Sequence, residues 1–354
     1  DLGATVWKIE PPWGDETRRF GPPFISGEST YYLSANRGKK SLAINLKDPR
    51  GQDIARRLTL EADIFVENFK TGDLSRYGLD YKTVSRINPK IIYASITGFG
   101  HIGPRTNEPA VDLAIQGMSG IMSATGEPDQ PPTKVGVAWV DILSGQTAAI
   151  GILAALQERE RSGKGQSLDI SLFDVGLASM ANLGQSYLIT KSIPEKLGNA
   201  HPNIAPYQVF DARDGPFILS AVNDEFFRKT TVAIGHPEIW NDERFQTNSG
   251  RVKHRKELVP LLAEVFRLRD RSDWIKKLGD VGVPTTPVLN ISEALEDPQS
   301  KARNAVWEIQ HPVAGEIPLL ASPLQHMGRT PASPQGHPPL LGEHTREILA
   351  EILH

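Results

Sequence analysis

The sequence predicts an α/β protein, a large domain on a parallel sheet followed by a smaller α+β domain. Three observations point there. Between residues 1 and 190, short apolar runs alternate with helix-like segments, the rhythm that places helices on the faces of a parallel sheet. Residues 191–205 turn polar and hold Gly, Asn and Pro, as a linker would. From Pro206 two strand-like runs flank a turn and helices follow, so the expected domains are 1–190, 206–310 and a C-terminal segment, 311–354, that returns to the large domain.

The elements follow in order. Asp1-Leu-Gly3 reads as the end of a helix and a turn before a strand at Thr5–Ile9, so a strand and a helix are expected ahead of it to complete the first α/β unit. Ser41–Asn45 is a strand. Asp48-Pro49 then supplies an N-cap and a first-position proline for a helix reaching about Ala62. Asp63–Glu67 and Ile91–Ile96 read as strands around a short helix at Tyr81–Asn88. A long Ala/Leu/Ile-rich helix spans Ser144–Glu160 and stops at Gly163 and Gly165, with cations at its negative end, before a strand at Ser167–Ile170. Strands Tyr207–Asp211 and Phe217–Val222 precede helices near Phe226–Ile234, Lys256–Phe266 and Ser272–Leu278. The stretch from Gly328 to Pro339 should be extended, and Thr345–Ile352 should close the chain as a helix.

Composition excludes several functions. With 354 residues, 39% hydrophobic and 23% charged, the chain can bury a sizeable core. A net charge of −3 argues against general nucleic-acid binding. The absence of cysteine removes disulfides, thiolate catalysis and Cys-ligated zinc, and fits the cytoplasm, or the mitochondrial matrix in a eukaryote. No uninterrupted apolar run nears the roughly 20 residues of a membrane helix, so no membrane is expected. The nine histidines show no ligand spacing, and His311, His326, His337 and His344 sit in Pro-rich segments that suggest surface or loop roles; no metal is expected.

Val135–Asp141 is the most informative stretch: an apolar run ending in one acid, Asp141, ahead of the long helix. Such an acid either caps the helix or is a reactive carboxylate beside a cleft. Gly98-Phe-Gly100-His-Ile-Gly103 fits the spacing of a dinucleotide loop, but Pro104 and Pro109 follow in place of the required helix. A flexible loop beside a pocket is the better reading. Asn36-Arg-Gly-Lys-Lys40 and Asn68–Arg76 each fall at a strand edge; singly they could be solvated surface, together they suit an anionic, phosphate-bearing ligand.

Taken in order, these pieces resemble the family III CoA transferases, the formyl-CoA transferase-like group. The resemblance rests on Asp1–Pro12, Asn36–Lys47, Val66-Glu-Asn-Phe69 with Arg76, Ser95–Gly100, Gly117–Gly120, Val135–Asp141, Arg161–Gln166 and Leu340–Thr345, and covers nearly the whole chain. It implies a Rossmann-like large domain, interlocked homodimers, and coenzyme A as substrate with no tightly bound cofactor. It places the catalytic aspartate at Asp141. CoA contacts fall on Ile44, Asn45, Leu46, Lys47, Asn68, Phe69, Lys70, Arg76, Pro109, Ala110, Val111 and Asp112. Gly21–Phe24, Glu28–Ser34, Pro206–Gln208, Thr247-Asn248 and Arg251-Val252 resemble members acting on dicarboxylates such as succinate and glutarate. The polyglycine lid of formyl-CoA transferase is missing, which sets formate and oxalate aside. Arg105 and Asn223 are candidates for the substrate's free carboxylate. An α-methylacyl-CoA racemase would carry His before the acid matching Asp112, where this chain has Val111. A non-catalytic acyl-CoA-binding protein is the remaining alternative.

Overall fold

Parallel pairing dominates the first half of the chain. In the computed structural model, which describes residues 1–352, strand Val6–Glu10 pairs in parallel with Lys39–Ala43. Ile64–Glu67, Ile92–Thr97 and Gln166–Ser171 form a second parallel sheet in that order. Its central strand, Ile92–Thr97, is almost wholly buried, as a two-faced apolar run should be. Helix Pro49–Glu61 begins where the sequence indicates: Asp48 accepts the Arg50 N–H at 2.9 Å and Pro49 takes the first turn. Two glycines allow close approach of backbones. A Cβ on Gly51 would lie 2.2 Å from the Asn45 carbonyl oxygen, and one on Gly165 would lie 2.0 Å from that of Ile91.

The chain groups into two compact units. One holds 1–109, 144–171 and 291–354; the other holds 110–143 and 172–290. This grouping cuts across the expected domains, since 110–143 and 172–190 join the 206–290 segment while 291–310 joins the first unit.

In the first unit, Leu42, Ile44, Leu58 and Ile348 form a core cluster, so the closing helix Thr345–Ile352 packs where the long-range apolar pattern requires. Leu340–Thr345 runs along strand Lys39–Ala43: Gly342 N–H donates to Ser41 Oγ at 2.8 Å and Ala43 N–H to Thr345 Oγ1 at 3.0 Å. An antiparallel hairpin, Val306–His311 with Gly315–Leu320, buries Ile309, Ile317 and Leu319 against Leu33 of helix Thr30–Asn36. His311 is only 4% exposed at the end of this hairpin, which corrects its expected surface or loop role.

In the second unit, strands Tyr207–Ala212, Gly215–Ser220 and Thr285–Pro287 make an antiparallel sheet. Phe210, Phe217, Phe266 and Trp274 form its aromatic core, with Phe217 and Phe266 edge to face at 5.0 Å. Arg251 is fully buried, donating to the Ala205 carbonyl at 2.6 Å, the Phe245 carbonyl at 2.9 Å and Asp224 at 2.8 Å. Asn248 reaches the same strap, through the Asn203 carbonyl at 2.8 Å and the Ala205 N–H at 3.2 Å. The Thr247–Arg251 part of the resemblance thus has a structural job, fastening 203–205.

Helix Trp139–Ser162, 24 residues long, begins five residues earlier than expected. By length and composition it could cross a membrane, its most apolar 18 residues having a mean hydropathy of 1.5, although no uninterrupted apolar run reaches that length. Asp141, Ser144 and Gln146 break the apolar run without lowering its average much. Val140, Ser144, Ala148 and Ala155 form its buried stripe, while Ile142, Ile150 and Leu153 stand exposed at 47, 70 and 57%.

Candidate active site

Asp141 lies in the first turn of helix Trp139–Ser162, so it neither precedes that helix nor caps it. Another acid does the capping. Asp112, at the start of helix Asp112–Met118, accepts the Val140 N–H at 2.8 Å and the Asp141 N–H at 3.4 Å through Oδ1. Its other oxygen accepts from Gln116 Nε2 at 2.6 Å, and Gln116 Oε1 in turn accepts the Val135 N–H at 2.9 Å. Gln116, fully buried, therefore ties Asp112 to the apolar run that leads into the helix. Sequence reasoning missed it, because a lone Gln in a short helix gives no local signal.

The helix start already has a carboxylate, which leaves the Asp141 side chain free for chemistry. Asp141 remains solvent-exposed, but partial desolvation by the surrounding protein, then the charge of Asp112, pushes its carboxyl above the usual aspartate range. A helix N-terminus by itself would act in the opposite sense. The N–H groups of Trp139 and Ile142 bond to the carbonyls of Val137 and Ala138 at 2.8 and 3.0 Å. With Val140 and Asp141 bonded to Asp112, the turn offers no free donor pair for an oxyanion, so that stabilisation must come from elsewhere.

The expected CoA contacts of the first unit follow the carboxyl ends of parallel strands, where ligand crevices form in open α/β sheets. Ile44–Lys47 follows Lys39–Ala43; Asn68–Lys70 follows Ile64–Glu67. Ile44 and Leu46 turn into the core, so only Asn45 and Lys47 present side chains outward. Asn68, Phe69 and Lys70 are all exposed. Arg76 stacks 4.8 Å over Tyr77 and pairs with Asp73 at 3.3 Å. Pro109 and Val111 are exposed and Ala110 is half-buried; with the Asp112 carboxylate committed to Val140, Asp141 and Gln116, that position could meet CoA only through its backbone.

The two weaker substrate candidates have partners of their own. Asn223 caps helix Asp224–Ala233, accepting the Phe226 N–H at 2.8 Å. Arg105 pairs with Glu108 at 2.7 Å on the surface, an interaction weak enough for a ligand carboxylate to replace. Part of the Gly98–Gly103 loop is held by hydrogen bonds: Gly100 N–H donates to Thr97 Oγ1 and His101 N–H to Asp169 Oδ2, both at 2.9 Å. Among the described residues no group of three His, Asp or Glu side chains is arranged to hold a metal ion.

Residues 1–345 match the model of CoA-transferase family III. The chain belongs to that family. It is 42% identical to the succinate–glutarate CoA-transferase of Agrobacterium fabrum, over 99% of this chain and 90% of the relative. The human succinyl-CoA:glutarate CoA-transferase is 39% identical, over 100% of this chain and 81% of the relative. An acetyl-CoA:oxalate CoA-transferase from Acetobacter aceti is 41% identical over 86% of this chain and 78% of its own length. The crystal structure of a CAIB/BAIF family protein from Brucella suis is 44% identical and superposes with a TM-score of 0.88, covering 99% of this chain and 93% of that one. As a family III CoA-transferase the chain is an enzyme that uses CoA thioesters.

Proposed function

We propose that the protein moves CoA from a short dicarboxylic acyl-CoA, such as succinyl-CoA, to a free carboxylate, such as glutarate, with Asp141 as nucleophile. The observation that carries this is the freed, pKa-raised Asp141 carboxyl beside a second acid that performs the capping in its place. The ionised carboxylate attacks the thioester carbonyl, giving an acyl–aspartyl anhydride and CoA thiolate. The thiolate attacks the aspartyl carbonyl, releasing the donor acid and leaving aspartyl-CoA thioester. The acceptor carboxylate repeats the sequence in reverse, and acceptor acyl-CoA leaves with the Asp141 carboxylate restored. No proton or electron is needed from outside. Ile44–Lys47, Asn68–Lys70 and Arg76 serve CoA in this reading, and Arg105 remains the candidate for the distal carboxylate. Succinyl-CoA and oxalyl-CoA donors should be assayed against glutarate, succinate and oxalate acceptors; failure of the wild type to exchange CoA among any of them would overturn the reading.

The same reading makes the protein an interlocked homodimer. The uncovered apolar side of helix Trp139–Ser162, with Ile142, Ile150 and Leu153, supports a second copy as its cover.

A further inference from the structure

Three residues on two adjacent strands and the loop that follows them join in one hydrogen-bonded chain apart from the Asp141 turn. Glu67 is the last residue of its strand, and one of its oxygens, Oε2, accepts the Phe69 N–H at 2.8 Å. The other accepts the hydroxyl of Ser95, the residue paired with Glu67 in the neighbouring strand. Ser95, 3% exposed, contacts His101 Nε2 at 2.8 Å, and the His101 backbone N–H is itself held by Asp169. The order is acid, hydroxyl, imidazole, so the serine proton points at the carboxylate and the hydroxyl is no activated nucleophile. Having given its one proton to an acceptor, Ser95 must receive one from Nε2–H, which fixes the neutral His101 ring as the Nε2–H tautomer.

We propose that Glu67, Ser95 and His101 form a positioning relay that locks the backbone of Asn68–Lys70 against the Gly98–Gly103 loop and so sets the affinity for the CoA moiety. Its link to CoA rests on the function proposed above; the relay itself does not. Only the Phe69 amide and the His101 ring lie at the ends of the chain, and both sit on strand-end segments.

The test compares His101→Leu, which fills space without a donor, with His101→Gln, whose amide N–H can still reach Ser95. In steady-state exchange with succinyl-CoA and glutarate, His101→Leu should raise KM for succinyl-CoA about tenfold with kcat within twofold and KM for glutarate unchanged, and His101→Gln should recover most of the loss. Amide hydrogen exchange on the same proteins should quicken at Phe69 in His101→Leu and return towards wild type in His101→Gln. An unchanged KM for succinyl-CoA, a loss confined to kcat, or a glutamine variant as impaired as the leucine one would overturn the positioning role. Unchanged Phe69 exchange in His101→Leu would overturn the relay. If the wild type exchanges no CoA, the functional reading and the relay's link to CoA fall together, while amide exchange still decides whether the relay exists.

Discussion

An acid at a helix start can cap the backbone or react beside a cleft, and at helix Trp139–Ser162 the first task falls to Asp112. Asp112 satisfies the backbone, and Asp141 is left with a raised pKa and an accessible carboxyl. For the Asp141→Asn variant this has a stability consequence with a definite sign. A carboxyl whose folded pKa lies above its unfolded value binds more protons when folded, so its ionisation lowers stability as pH rises from the unfolded pKa through the folded one. Asp141→Asn should therefore melt at the same temperature as wild type or slightly above it at pH 7, with the gain absent at pH 3, while losing CoA exchange entirely. Calorimetric melting at both pH values, paired with an exchange assay, checks both halves. Asp112→Asn removes the like charge that forms the second cause of the Asp141 shift. The acidic limb of its kcat/KM profile should move to lower pH than in wild type. A limb that stays in place, or moves up, would deny the coupling.

Among the elements, those with their own end signals were legible and those finished by distant residues were not. Asp48 and Pro49 announce helix Pro49–Glu61 from two adjacent positions, and the closing helix Thr345–Ile352 follows its own apolar periodicity. Helix Trp139–Ser162 starts ahead of its local sequence signals because its capping side chain, Asp112, is 27 residues ahead of Trp139 in sequence and cannot be recognised locally. Helix Leu172–Ser179 holds one charged residue, Asp174, too little polar surface to set a period, and the turn at Pro312–Ala314 lacks the Asn-Gly or Asp-Gly signal of a tight hairpin. The Gly165 contact likewise depends on a carbonyl 74 residues earlier. Gly165→Ala drives a methyl group into the Ile91 backbone, and it should destabilise the fold by about 2 kcal/mol or more. Arg251→Ala leaves two backbone carbonyls without their donor in a buried site, while the exposed Asp224 turns to water, and about 2 kcal/mol or more should be lost. Urea unfolding of both variants measures these losses, and a loss under 1 kcal/mol in either would show the packing argument to be wrong.

For the whole molecule, the family was legible because its motifs keep order across the chain, and residues 1–345 match the family III model. The grouping into units was not, since the chain leaves the first unit at 110 and 172 and returns at 144 and 291, crossings that periodicity does not mark. The exposed apolar side of the longest helix is a property at this scale too. Light scattering at micromolar concentration should give the mass of two chains, and a single-chain mass would remove the interlocked dimer. The central claim is that the acyl and CoA groups pass through the Asp141 carboxyl. Wild-type protein mixed with succinyl-CoA and quenched with hydroxylamine should carry a hydroxamate at Asp141, located by peptide mass spectrometry, and Asp141→Asn should carry none. Active exchange with Asp141 unmodified, or a hydroxamate at another carboxylate, would contradict the account.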